Sequence, residues 1–258
     1  MHLLVWLVGS LAVALILSSR ASAQVQTVPY PEVQVNVSEA FRPDAAFEKM
    51  RAAFVEATSN KNAERLLTLL GPTFVWTEGL IPSEKFDMGR DASHNFKVAF
   101  GFRGFDRNED GGVDGGPYWD ALAAFASETL FYEVVGIRNL VCGPLAAEID
   151  DDGLFERARK TIETGVATAH WYFTTSGLAV ARAPGDTGPA VANLGTVALP
   201  VLKAHPSDAG ATHFQVLLPS GETGWVPASA VRPLFSDRLC FARTRDGEWK
   251  IAGFEKSG

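Results

Sequence analysis

The stretch Leu217-Leu218-Pro219-Ser220-Gly221-Glu222-Thr223-Gly224-Trp225-Val226-Pro227 constrains this chain more than any other. It reads as a strand, a tight polar turn and a second strand that delivers a tryptophan to a surface. Two glycines flank the turn, where backbone freedom is needed. Similar short segments surround it: His170–Thr174, Leu178–Ala183, Leu194–Leu202 and Thr212–Leu218. Turns rich in Gly, Pro and Asp separate them at 184–189 and 206–208. Strands this short and this closely spaced predict a small β-barrel. A last hairpin is expected from Leu239–Thr244 and Trp249–Phe254, joined through Asp246-Gly247, a strong turn signal.

The first half has a different period. Phe47, Met50, Phe54 and Ala57 recur at helical steps, with Glu48, Lys49, Arg51 and Glu56 on the opposite side. A second helix is expected at Ala63–Leu70, stopped by Gly71-Pro72, and a strand at Thr73–Thr77. Further helices are expected at Ala92–Phe100, Tyr118–Phe131 and 153–163. Asp150, Asp151 and Asp152 stand at the start of the last, where carboxylates favour the helix dipole. The chain therefore reads as an α+β protein. A helix-rich domain at 44–165 precedes a barrel plus hairpin at 168–258.

Residues 2–17 form an uncharged apolar run, followed by Ala21-Ser22-Ala23, a small-x-small cleavage pattern. Residues 1–23 are expected to be a signal peptide. The alternative is an uncleaved anchor, although the run is shorter than the roughly 20 residues a spanning helix needs. Such an anchor would be the chain's one route to a membrane. Residues 24–43, with Pro29, Pro31, Pro43 and the alternating Val33, Val35 and Val37, read as an extended leader with one edge strand. Export leads to an oxidising compartment, where Cys142 and Cys240 are expected to pair as a disulfide. Two buried thiols are the alternative. A net charge of -7 and the lack of any Lys/Arg cluster exclude a nucleic acid held by phosphate electrostatics.

Residues 178–234 resemble a bacterial SH3 (SH3b) domain in four features taken in order. These are Leu178–Pro184 as the opening strand and turn, Ala190–Gly195 as the segment closing the first loop, Phe214-Gln215-Val216 as a central strand, and Gly221–Val231 with its Gly-Trp-Val hairpin. The resemblance implies a ligand face for a peptide or peptidoglycan component, with Trp225, Phe214, Arg182 and Glu222 as its candidates. Family members often carry Trp-Tyr or Trp-x just before the central strand, where this chain has Thr212-His213-Phe214. A looser resemblance joins the helix pair and aromatic strand ending at Thr77, and the final Asp246–Phe254 strand, to NTF2-like cone-shaped domains. It implies an enzyme or small-ligand carrier with an apolar pocket lined by Phe74, Trp76 and Trp119.

Catalytic motifs are not found: there is no Gly-x-Ser-x-Gly, His-Glu-x-x-His, Gly-x-x-x-x-Gly-Lys or Cys-x-x-Cys. No catalytic residue is assigned. His94, His170, His205 and His213 are scattered and read as surface or packing residues. Asp106 to Asp114 resembles the first nine positions of an EF-hand loop, with Asp106, Asn108, Asp110 and Asp114 as oxygen ligands. Position twelve is Pro117 in place of the bidentate Glu, so calcium is a weak candidate and no other cofactor is expected. The expectation is an exported, non-catalytic binding or scaffolding protein of the cell envelope.

Overall fold

In the computed structural model, the described residues are 28–78, 81–82, 87–100, 102, 116–163, 170–206 and 210–257. The expected signal peptide lies outside them. After β1 (Val33–Val37), helix α1 spans Ala45–Ser59 and α2 Ala63–Thr68. Asp44 caps α1, its carboxylate accepting from the Phe47 N–H at 2.7 Å, and Asn62 caps α2 in the same way. The expected helical stripe of α1 holds: Phe47, Met50, Phe54 and Ala57 are all buried.

Next come β2 (Leu70–Glu78), β3 (Ile81–Pro82), α3 (Ala92–Ala99), α4 (Gly116–Ser127), β4 (Tyr132–Glu133), β5 (Leu140–Gly143), β6 (Ala147–Ile149) and α5 (Asp152–Glu163). Gly71-Pro72, expected to stop α2, instead lies inside β2. The strand-rich part follows: β7 (His170–Thr174), β8 (Leu178–Val180), β9 (Ala192–Leu194), β10 (Val197–His205), β11 (His213–Leu217), β12 (Thr223–Pro227) and β13 (Val231–Pro233). The last hairpin is β14 (Arg238–Arg243) and β15 (Trp249–Lys256).

Six strands form one sheet in the order β3-β2-β15-β14-β5-β4. Its pairs are antiparallel except β2 and β15, which run parallel. Helices α1, α3 and α4 supply Phe47, Phe54, Phe96, Trp119 and Leu122 to a core shared with Phe74, Phe241, Ile251 and Phe254 of the strands. The terminal hairpin was expected to accompany the barrel. It belongs instead to this sheet, because its apolar side matches α1: Phe241 lies 5.5 Å from Phe47 and 6.3 Å from Phe54, ring centre to ring centre. Alternation within a hairpin identifies its apolar side but not the surface that will cover it.

The second sheet has seven strands. Its main path is β12-β11-β10-β1-β6, with β7 on the other edge of β10 and β13 beyond β7. The leader's β1 is thus an interior strand, between β10 and β6, where an edge strand was expected. Strands β8 and β9 form a separate pair joined to β12 by a bridge between Ala181 and Trp225. Among the described residues neither sheet closes on itself, so the expected closed barrel is not formed there. Val180, Leu199, Val216, Leu218 and Val226 pack between the pieces on one face of the seven-stranded sheet. On the other, Tyr30, Trp171, Ala198 and Leu217 pack with Phe155, Ala158 and Ile162 of α5.

Candidate functional site

The β11–β12 hairpin is shaped by its two glycines. Gly221 sits at φ +86°, the left-handed region that side chains rarely adopt. It donates its N–H to the Leu218 carbonyl at 2.8 Å, and Leu218 donates to the Glu222 carbonyl at 2.8 Å. The leader clamps this turn: Tyr30 donates its N–H to the Pro219 carbonyl at 3.0 Å and its hydroxyl to the Leu217 carbonyl at 2.8 Å. Burial pushes the Tyr30 phenol far above its ordinary value, helped by the nearby Glu32 charge, so it stays a donor. Gly224 serves a different need. A Cβ there would collide with Val180 Cγ1, so the hairpin crosses β8 only without a side chain at this point.

Register then decides which side chains share a surface. Phe214 faces Val226 across the two strands, and Gln215 faces Trp225. Phe214 and Val226 belong to the inner packing, with the Phe214 ring 5.3 Å from Tyr172. Trp225 lies on the opposite face, partly exposed. There it meets Lys203, whose Nζ stands 5.3 Å from the indole centre, and His205, whose ring lies 5.9 Å away, edge-on. Lys203 pairs with Gln215, and Gln215 with Trp225, so the three form one row across β10, β11 and β12. His213, beside His205 in the ladder, extends the same face, with its Nδ1 3.1 Å from the Thr212 hydroxyl.

The four expected ligand residues are therefore not one group. Phe214 and Trp225 are offset by one register position, and a one-residue offset sends side chains to opposite faces. Arg182 is exposed one residue past Ala181, whose backbone exchanges hydrogen bonds of 2.9 and 2.8 Å with Trp225. Glu222 is exposed in the turn, its carboxylate 3.4 Å from the Ser220 hydroxyl. The residues that accompany Trp225 are Lys203, His205, His213 and Gln215. The alternation Lys203-Ala204-His205 against His213-Phe214-Gln215 carried that signal, had the strand register been known. By alternation this face also takes Thr223 and Pro227, and no Asp or Glu stands at any of these positions, in a chain of net charge -7.

The residues expected to line a pocket in the first sheet's core lie in a cluster of rings. Phe74, Trp76 and Trp119 are buried. Phe96 stands 5.3 Å from Phe74 and 5.8 Å from Phe102, which is 5.9 Å from Trp119. Trp76 Nε1 is buried there without a hydrogen-bond partner among the described residues. Two surface clefts lie elsewhere. One of 730 Å³ separates residues 38–42 from the 133–138 turn, and one of 460 Å³ separates α1 and α2 from the β14–β15 turn.

Cys142 and Cys240 form a disulfide, directly opposite one another on β5 and β14 with Cα atoms 4.0 Å apart. The expected pairing of Cys142 with Cys240 is present and ties neighbouring strands of one sheet. The expected calcium ligands Asp106, Asn108, Asp110 and Asp114 lie outside the described residues, among which no group of three His, Cys, Asp or Glu converges on a metal-sized site. No helix among the described residues is long and apolar enough to cross a membrane. Comparison with protein-family models, with curated proteins and with solved structures finds no match for this chain.

Proposed function

We propose that this is an exported, non-catalytic binding protein of the cell envelope, which holds a peptide or cell-wall component on the Trp225 face. The observation that carries the reading is the row Lys203–Gln215–Trp225, an aromatic ring with a cation above it on a face that has no carboxylate at its outward positions. Aromatic side chains at protein surfaces supply large contact area at low entropic cost, which suits them to recognition. The glycine-shaped hairpin and the run β10, β11, β12 support an SH3-like origin for this part, opened by insertion of the leader strand. The disulfide supports export to an oxidising compartment, in keeping with a periplasmic or secreted protein.

Retention on purified cell-wall sacculi tests the proposal. Wild-type protein should co-sediment, and Trp225→Ala, at a partly exposed position, should lose retention while keeping its circular dichroism. Equal retention of both proteins would sink the reading.

A second reading draws on the first sheet. The parallel pairing of β2 with β15 joins the two ends whose sequences resemble NTF2-like domains, and the buried Trp76 indole N–H, without a hydrogen-bond partner among the described residues, offers a small ligand a donor inside an aromatic core. A small-ligand carrier of this kind should take up a hydrophobic dye, and Trp76→Phe should weaken that uptake.

A further inference from the structure

We infer that the Trp225 face selects its ligand by a carboxylate. The proposal rests on the binding reading above and adds the chemical class of the group that is held. Along β10, Lys203 and His205 point to this face. Along β11, His213 and Gln215 do, and along β12, Thr223, Trp225 and Pro227. Among these seven positions there is one formal cation, two imidazoles and no acid, although the chain holds 30 Asp and Glu residues against 23 Lys and Arg. The face is thus locally opposite in sign to the protein that carries it. A bare ammonium beside an aromatic ring matches an anionic group attached to an apolar or backbone segment.

The geometry gives each group a task. Lys203 Nζ, 5.3 Å from the Trp225 ring centre, is exposed and has no acid among the described residues as an ion-pair partner. Its N–H groups donate to the ligand carboxylate. Trp225 stands beside it as the surface for the ligand's backbone, and the His205 ring, 5.9 Å away and nearly perpendicular, walls the far side. The clamped turn at Gly221 bounds the opposite end, where Tyr30 holds Leu217 and Pro219. The occupant that fits is a short carboxylate-bearing peptide, the kind of stem that a cell wall presents to an exported protein.

Sacculi are the probe, native in one arm and in the other with their carboxyl groups converted to amides by carbodiimide and ammonia. Retention of wild type, Trp225→Ala, Lys203→Gln and Lys203→Arg is measured on both. The proposal expects wild type to bind native sacculi and to lose about tenfold in affinity on amidated ones. Lys203→Gln should lose about tenfold on native sacculi and nothing further on amidated ones, the loss expected for one hydrogen bond to a charged group. Lys203→Arg should recover most of it. If wild type binds both forms equally and Trp225→Ala still abolishes retention, the carboxylate proposal is overturned while the binding reading stands. If wild type is not retained on native sacculi, both are overturned. Lys203 is exposed, so its variants keep the fold, and circular dichroism checks that they do.

Discussion

At the residue scale, the hairpin's glycines were legible as turn residues, but only one of them is there for the turn. Gly221 needs its positive φ, whereas Gly224 is needed because Val180 packs where a Cβ would be. Nothing local in the sequence separates the two, since the collision is with a residue 44 positions away. Gly224→Ala is expected to destabilise the protein by about 1–3 kcal/mol, the cost of overpacking a filled core, read as a lower denaturant midpoint with an unchanged slope.

Asp44 gives a pH-dependent test. The Phe47 N–H holds its carboxyl below the ordinary range, with the Arg243 guanidinium and the Trp249 indole N–H acting in the same direction. A depressed folded pKa means that the stabilisation is present above the unfolded value, about 3.9, and disappears as pH falls through the lower folded value. Asp44→Asn retains a cap but not the charge. The variant should therefore be less stable than wild type at pH 7, and the gap should close in acid as pH falls through the lowered folded value; a gap of constant size at both ends would assign the effect to shape and not to charge.

At the scale of elements, α1 was the most readable piece and the leader the least. A stripe at three- and four-residue steps specifies a helix and its buried side from one window. The alternation of Val33, Val35 and Val37 specifies a strand with one buried side, and Val33 and Val35 are buried in the cluster with α5, but it does not say that β1 has partners on both edges. Those partners come from Ala147–Ile149 and Val197–Ala198, far along the chain, and alternation does not announce them. The same holds for the disulfide. Pairing of the two cysteines was foreseeable from their even number, but their place opposite each other on β5 and β14 was not. The bond closes a loop across a sequence separation of 98, which the chain-entropy account values at about 4–5 kcal/mol. Replacing both cysteines by Ala should lower stability by about that amount, measured by urea denaturation. A loss below about 1 kcal/mol would show that the strand pairing alone holds β5 and β14 together.

At the scale of the whole molecule, order along the chain and order in space part company. The sequence divides naturally near residue 168, because its texture changes there from helical to β. The backbone does not respect that line: β1 enters the later sheet from the front of the chain, and β14 and β15 return to the earlier one from its end. A fragment of residues 168–258 would carry the hairpin without β2 and β5, and β10 without β1. It would also expose Trp171, Ala198 and Leu217, which now pack against Tyr30, Val33 and α5. Lost burial of this extent outweighs the few kcal/mol by which domains are stable. The fragment is expected to be unfolded or aggregated, while the chain from residue 28 onward unfolds in a single transition followed by tryptophan fluorescence and by circular dichroism. Well-dispersed amide resonances from the isolated fragment would show instead that the SH3-like part is an independent domain, to which the leader strand and α5 contribute little.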